Sequence, residues 1–184
     1  MNMKKIISFF IVACCAMCAT AAKVVWQIGV ADNSGTELAL GPSEYKKFLA
    51  HDFGYEDRYF LVGTSVDKND FPYVLPGPDD TWGGTWSTSG WRTHDANILF
   101  GIKKLPKHGK WKLVVDLVDA NPSRSVVKVM VNSAEKKFEI KGHSKGVLEG
   151  NLQDAKEQIL EFPISANDLK KGGNMVTVSA LEGG

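Results

Sequence analysis

Trp111 to Val118, WKLVVDLV, is the stretch on which the fold reading turns. Tryptophan, leucine and valine dominate it, with Lys112 and Asp116 between them, and it is too short for a typical helix. Turn signals bound it on both sides, Pro106 to Gly109 before and Asn121-Pro122-Ser123 after, so it reads as a strand. Runs of the same kind recur on either side. Val24 to Gly29, Arg58 to Gly63 and Asn97 to Ile102 precede it; Val126 to Val131, Lys137 to Ile140, Ile159 to Ile164 and Met175 to Ala180 follow. Gly142 and Gly172-Gly173-Asn174 add further turn signals. Short strands at this spacing predict an all-β fold, a β-sandwich of the jelly-roll kind.

Helix has little room. Ser43 to Leu49 has an N-cap serine and would place Tyr45, Phe48 and Leu49 on one face. Ser165 to Leu169 is a one-turn candidate before Gly172-Gly173. Neither could serve as a helical crossover, which disfavours a βαβ architecture. The run Met175 to Ala180 stands almost at the end of the sequence, so it is expected as an unpaired edge strand, with the last strand of the module lacking.

Residues 1–22 read as a secretory leader. Lys4 and Lys5 precede the apolar Ile6 to Ala19, and Ala19-Thr20-Ala21 offers small residues at cleavage spacing. The run is short for a membrane span. In a rival reading Ile11-Val12-Ala13-Cys14 is a lipoprotein box and Cys14 a lipid anchor, although more apolar residues follow where a polar tether would be expected. The expected location is thus secreted or periplasmic. Cys14, Cys15 and Cys18 all fall inside the leader, so residues 23–184 have no disulfide, thiolate metal site or cysteine nucleophile. Removing the leader leaves 20 basic against 21 acidic residues. That near-neutral balance argues against nucleic acid as a partner. About 160 residues suffice for one domain with its own core.

The segment Thr64 to His94 is far longer than an ordinary loop and carries three of the five tryptophans. Trp82, Trp86 and Trp91 stand there with Tyr73, Asp79, Asp80 and Arg92. An indole covers the C–H face of a sugar ring at little entropy cost, and Asp and Arg suit its hydroxyl rim. The same residues could instead pack the loop onto the sandwich. Asp79-Asp80 could contribute to a Ca²⁺ site, though two adjacent acids fall short of the required oxygen ligands; no other cofactor is implied. His51, His94, His108 and His143 have no metal-ligand spacing. A proton-abstraction set of Tyr73, Arg92 and His94 is conceivable on residue type alone, and no catalytic residue is assigned.

Trp26-Gln27-Ile28-Gly29-Val30-Ala31-Asp32-Asn33-Ser34 resembles the start of the C-terminal jelly-roll module of rhamnogalacturonan lyases, polysaccharide lyase family four. Ile164 to Leu169 and Gly173 to Val178 are similar to that family's closing pattern, shared by many galactose-binding-like folds. The likeness runs from about Val24 to the end of the sequence, loosely in its middle. It implies a non-catalytic, carbohydrate-binding-like accessory module of an exported bacterial polysaccharide-degrading protein, a lyase or glycoside hydrolase. Polysaccharide or oligosaccharide and a downstream catalytic domain are the partners it implies. Two departures stand out: the module follows the leader directly, and the family's last strand is not seen. Alternative readings are a structural docking module and, lower, a lyase in its own right.

Overall fold

The computed structural model describes residues 10–14, 23–41, 44, 47, 57–78, 93–105, 110–120, 124–141 and 154–183. Among them, the chain forms an all-β sandwich of two sheets. Strands β1 (Phe10–Cys14), β2 (Lys23–Val24), β5 (Lys110–Leu117) and β8 (Gln158–Ile164) make a four-stranded sheet in the order β2-β1-β5-β8. The five-stranded sheet runs β3-β4-β9-β6-β7, from β3 (Arg58–Leu61), β4 (Asp95–Ile102), β6 (Ser125–Val131), β7 (Ala134–Ile140) and β9 (Gly172–Glu182). A four-residue helix, α1 (Asp67–Asp70), interrupts the long segment after β3.

Alternation decides which face each strand buries. In β5 the inward residues are Trp111, Leu113 and Val115, paired in register with Ile164, Phe162 and Leu160 of β8. Opposite them, Ile98, Val176 and Val131 form one row across β4, β9 and β6, and Ala96, Val178 and Val129 form the next. Ile98, Leu113, Val129, Val131 and Val176 are sealed from solvent. Each such side chain contributes about 1.5–3 kcal/mol by leaving water.

Three sequence expectations need correction. Met175 to Ala180 is no edge: β9 extends from Gly172 to Glu182 and lies between β4 and β6. Greek-key connectivity brings late strands back beside early ones, so position in sequence does not fix position in a sheet. Gly172 and Gly173 do not break the chain; they begin β9, paired with Ile102 and Gly101, and Gly172 starts it at φ 97°. The Val24 to Gly29 run alternates as expected, with Trp26 and Ile28 buried, yet only Lys23–Val24 joins a ladder. β3 and β4 pair in parallel, Arg58 with Ala96 through Leu61 with Leu99.

The one-turn candidate is present as a 3-10 turn, Ala166–Asp168, closed by a capping box between Ser165 and Asp168. Of the proposed helix Ser43 to Leu49, only Glu44 and Lys47 lie among the described residues; their side chains form a 2.9 Å ion pair. Phe10–Cys14, inside the leader-like stretch, pairs antiparallel with both β2 and β5 in the unprocessed chain.

Candidate functional site

The two limbs of the tryptophan-bearing segment are fixed by the sandwich. On the outgoing side, α1 is tied to the chain opening: the Gly29 amide donates to Asp67 Oδ2 at 2.8 Å and Lys68 Nζ to the Thr36 carbonyl at 3.2 Å. Phe71 then turns into the core, edge-on to Phe60 with ring centres 5.7 Å apart. The Ala39 amide donates to the Phe71 carbonyl at 2.9 Å, and the Tyr73 amide to the Ala39 carbonyl at 3.2 Å. Pro76 is fully buried, two residues before Pro78, the last described residue on this limb. On the return limb Thr93 Oγ1 donates to the Ala180 carbonyl at 2.6 Å, His94 is buried, and the Asp95 amide donates to Asp57 Oδ1 at 3.0 Å.

Tyr73 belongs to this footing. It is half-buried against Ala39, Leu40 and the main core, so its described role is to seat the outgoing limb. Trp82, Trp86, Trp91, Asp79, Asp80 and Arg92 lie outside the described residues. The other two tryptophans are core residues. Trp26 is tilted against Phe100 at 5.4 Å, and Trp111 packs in β5. His51, His108 and His143 also lie outside the described residues; among the described ones, no three His, Cys, Asp or Glu side chains gather as a metal site.

A feature the sequence reading missed is the outer face of the five-stranded sheet, which begins beside the return limb. Along β4 and β9, residues facing away from the core pair in sequence: Asp95 with Ser179, Asn97 with Thr177, Leu99 with Met175, Gly101 with Gly173. The Ser179 hydroxyl donates to Asp95 Oδ1, and Thr177 Oγ1 donates to Asn97 Oδ1 at 2.7 Å. Tyr59 of the edge strand β3 is in register with Asn97 and 65 % exposed. Exposure rises along this track, from 0 % at Ser179 and 7 % at Thr177 to 39 % at Met175. The Tyr59 ring is an exposed aromatic surface, whereas the Asn97 amide and Thr177 hydroxyl beside it are buried and bonded to each other. Its sequence signal was the alternation in Arg58-Tyr59-Phe60-Leu61, where an aromatic falls opposite the buried Phe60.

The opposite sheet carries the chain's one resolved acid perturbation among the described residues. Asp116 is buried on the face of β5 away from the core, and its Oδ1 has no hydrogen-bond partner. Burial, reinforced by the negative Glu157, pushes its carboxyl from 3.8 up to about 7. No nucleophile or metal set accompanies it among the described residues.

Residues 24–183 match the family model described as CBM-like: polysaccharide lyase family 4, domain III. No curated protein matches the chain.

Proposed function

Because this chain belongs to the CBM-like family of polysaccharide lyase family 4, domain III, we propose that it binds glycan as a non-catalytic accessory module of an exported polysaccharide-degrading protein. The family match across residues 24–183 carries this reading. Trp82, Trp86 and Trp91 supply stacking surfaces, Asp79, Asp80 and Arg92 the polar rim, and the footing at Phe71, Tyr73 and Thr93 holds both ends of their segment in place. A platform whose ends are anchored loses less entropy on binding than a free loop. The leader is removed on export, and a catalytic domain elsewhere in the protein performs the cleavage.

Affinity electrophoresis of the folded protein against a panel of pectic and other plant glycans tests this. Retarded migration is expected with at least one polymer. The combined substitution Trp82→Ala, Trp86→Ala and Trp91→Ala should weaken it by about tenfold or more, as loss of 1–3 kcal/mol per stacked ring implies. Unchanged mobility with every glycan would overturn the reading. Intact-mass measurement of the exported protein locates the cleavage site and reveals any acyl group on Cys14.

A docking role has one observation in its favour: Leu61, Leu99 and Met175 form an apolar row on the outer face, with Leu61 and Met175 exposed. Protection of that row when a catalytic domain is added would favour docking. Appearance of unsaturated products from any glycan would instead favour a lyase.

A further inference from the structure

Strand β5 is built as an interior strand. Leu113, Val114, Val115 and Asp116 are buried in succession, so it is covered on both faces, and its neighbours are β1 and β8. The strands at the sheet edges are made differently. β7 carries Glu135, Lys136, Lys137 and Glu139, β8 carries Pro163, and β2 is two residues long. On β3 the Leu61 amide donates to Ser65 Oγ at 3.0 Å. Charge, proline, short length and a capped amide each keep an edge from pairing further. On β5, between Trp111 and Val114, the only charge is Lys112, and it is turned to Glu161 of β8 in an ion pair.

The partner on one side of β5 does not outlast export. Phe10–Cys14 falls within residues 1–22, the expected leader. Its removal opens the ladder from Lys110 to Val114 and takes from β2 its only partner among the described residues. Next to this opening stands a run with the opposite lack. Val24 to Ile28 has strand composition and a core face at Trp26 and Ile28, 7 % and 2 % exposed, yet past Val24 it joins no ladder among the described residues. Its inner side is already placed, with Trp26 tilted against Phe100 at 5.4 Å. Its far end is fixed at Gly29, where φ is 77° and the amide donates to Asp67 Oδ2 at 2.8 Å.

We propose that, once the leader is cleaved, Val24 to Ile28 moves into the place of β1 and completes the four-stranded sheet as the strand beside β5. The proposal rests on the leader reading and adds a structural role for the new N-terminal segment. β2 is antiparallel to β1, and β1 to β5, so the run pairs with β5 in parallel. The long connection between the run and β5 allows that direction. β2 stands two strand spacings from β5, about 10 Å, and the run crosses one of them by pivoting at Gly29. The core face sets the register. Through Val12, Val24 is now level with Lys112, an alignment that would turn Trp26 outward. A shift of one residue restores the face: Trp26 comes beside Leu113, Ile28 beside Val115, and Val25 beside Lys112 on the outer side. Cleavage and completion of the sheet are thereby coupled, since precursor and processed chain hold different strands beside β5.

The test compares the full chain with the processed chain. Cys14→Ser, Cys15→Ser and Cys18→Ser in the full chain leave the introduced pair Val25→Cys/Lys112→Cys as the only thiols in either form. In the processed chain the pair stands one strand spacing apart, within disulfide reach, and should oxidise within the chain. In the full chain β1 separates the two positions by about 10 Å, and the yield should be about tenfold lower. Without the introduced pair, hydrogen–deuterium exchange should show residues 110–117 equally protected in both forms and residues 24–28 more protected after processing. Faster exchange at 110–117 in the processed chain would reveal an open edge and overturn the proposal. So would equal oxidation of the pair in both forms. A cross-link found only between chains, with a dimer in light scattering, overturns it in favour of a strand lent by a second copy. Intact mass separates these results from failure of the parent reading: an exported protein that keeps residues 10–14 overturns the leader itself.

Discussion

Replacing Asp116 by Asn should stabilise this protein at neutral and alkaline pH. Asp116 sits in β5 on the face away from the core, 6 % exposed, with Oδ1 unpartnered and Glu157 adding negative charge nearby. Its folded pKa of about 7 lies above the ordinary 3.8, so between those values the folded chain holds a proton that the unfolded chain has released. Stability must therefore fall as pH rises through this window, and the loss is complete above about pH 7. At about 1.4 kcal/mol per pH unit the full rise corresponds to about 4 kcal/mol; solvent relaxation around the ionised group brings the expected loss into the range of about 2–4 kcal/mol. Asn cannot ionise and escapes it. Urea unfolding at half-unit steps from pH 4 to 8.5 reads the effect as the difference between wild type and Asp116→Asn, which cancels the other acids. That difference should be small near pH 4 and grow in favour of the variant up to about pH 7. Glu157→Gln should reduce the slope without abolishing it, because burial is the larger cause. Parallel wild-type and Asp116→Asn curves from pH 5 to 8 would refute the reasoning.

Four further outcomes follow from the packing. Leu113→Ala removes a fully buried side chain facing Phe162 and should cost about 2–5 kcal/mol in urea unfolding. Gly183→Ala places a Cβ 2.5 Å from Ser125 Oγ at a φ of 76°, so the thermal midpoint should fall by several degrees, as about 1–3 kcal/mol of strain implies. Ser165→Ala breaks the capping box and should cost about 1 kcal/mol, seen as faster amide exchange at Asn167 and Asp168. Chelation of divalent ions should leave the thermal midpoint unchanged; a fall restored by Ca²⁺ would implicate Asp79 and Asp80 as ligands.

The local alternation of apolar residues was enough to specify the sandwich. WKLVVDLV announces a strand because Trp111, Leu113 and Val115 recur at the two-residue period, and the same argument found the cores of β3, β4, β6, β7, β8 and β9. The tryptophan-bearing segment was likewise legible, since its length and composition are properties of the chain alone. Sequence could not give the partners. That β9 is an inner strand, that β3 and β4 run parallel, and that Tyr73 is a footing follow from contacts between residues far apart in the chain. Periodicity is local and survives in the sequence, whereas register between distant strands is set by the packing of the whole core.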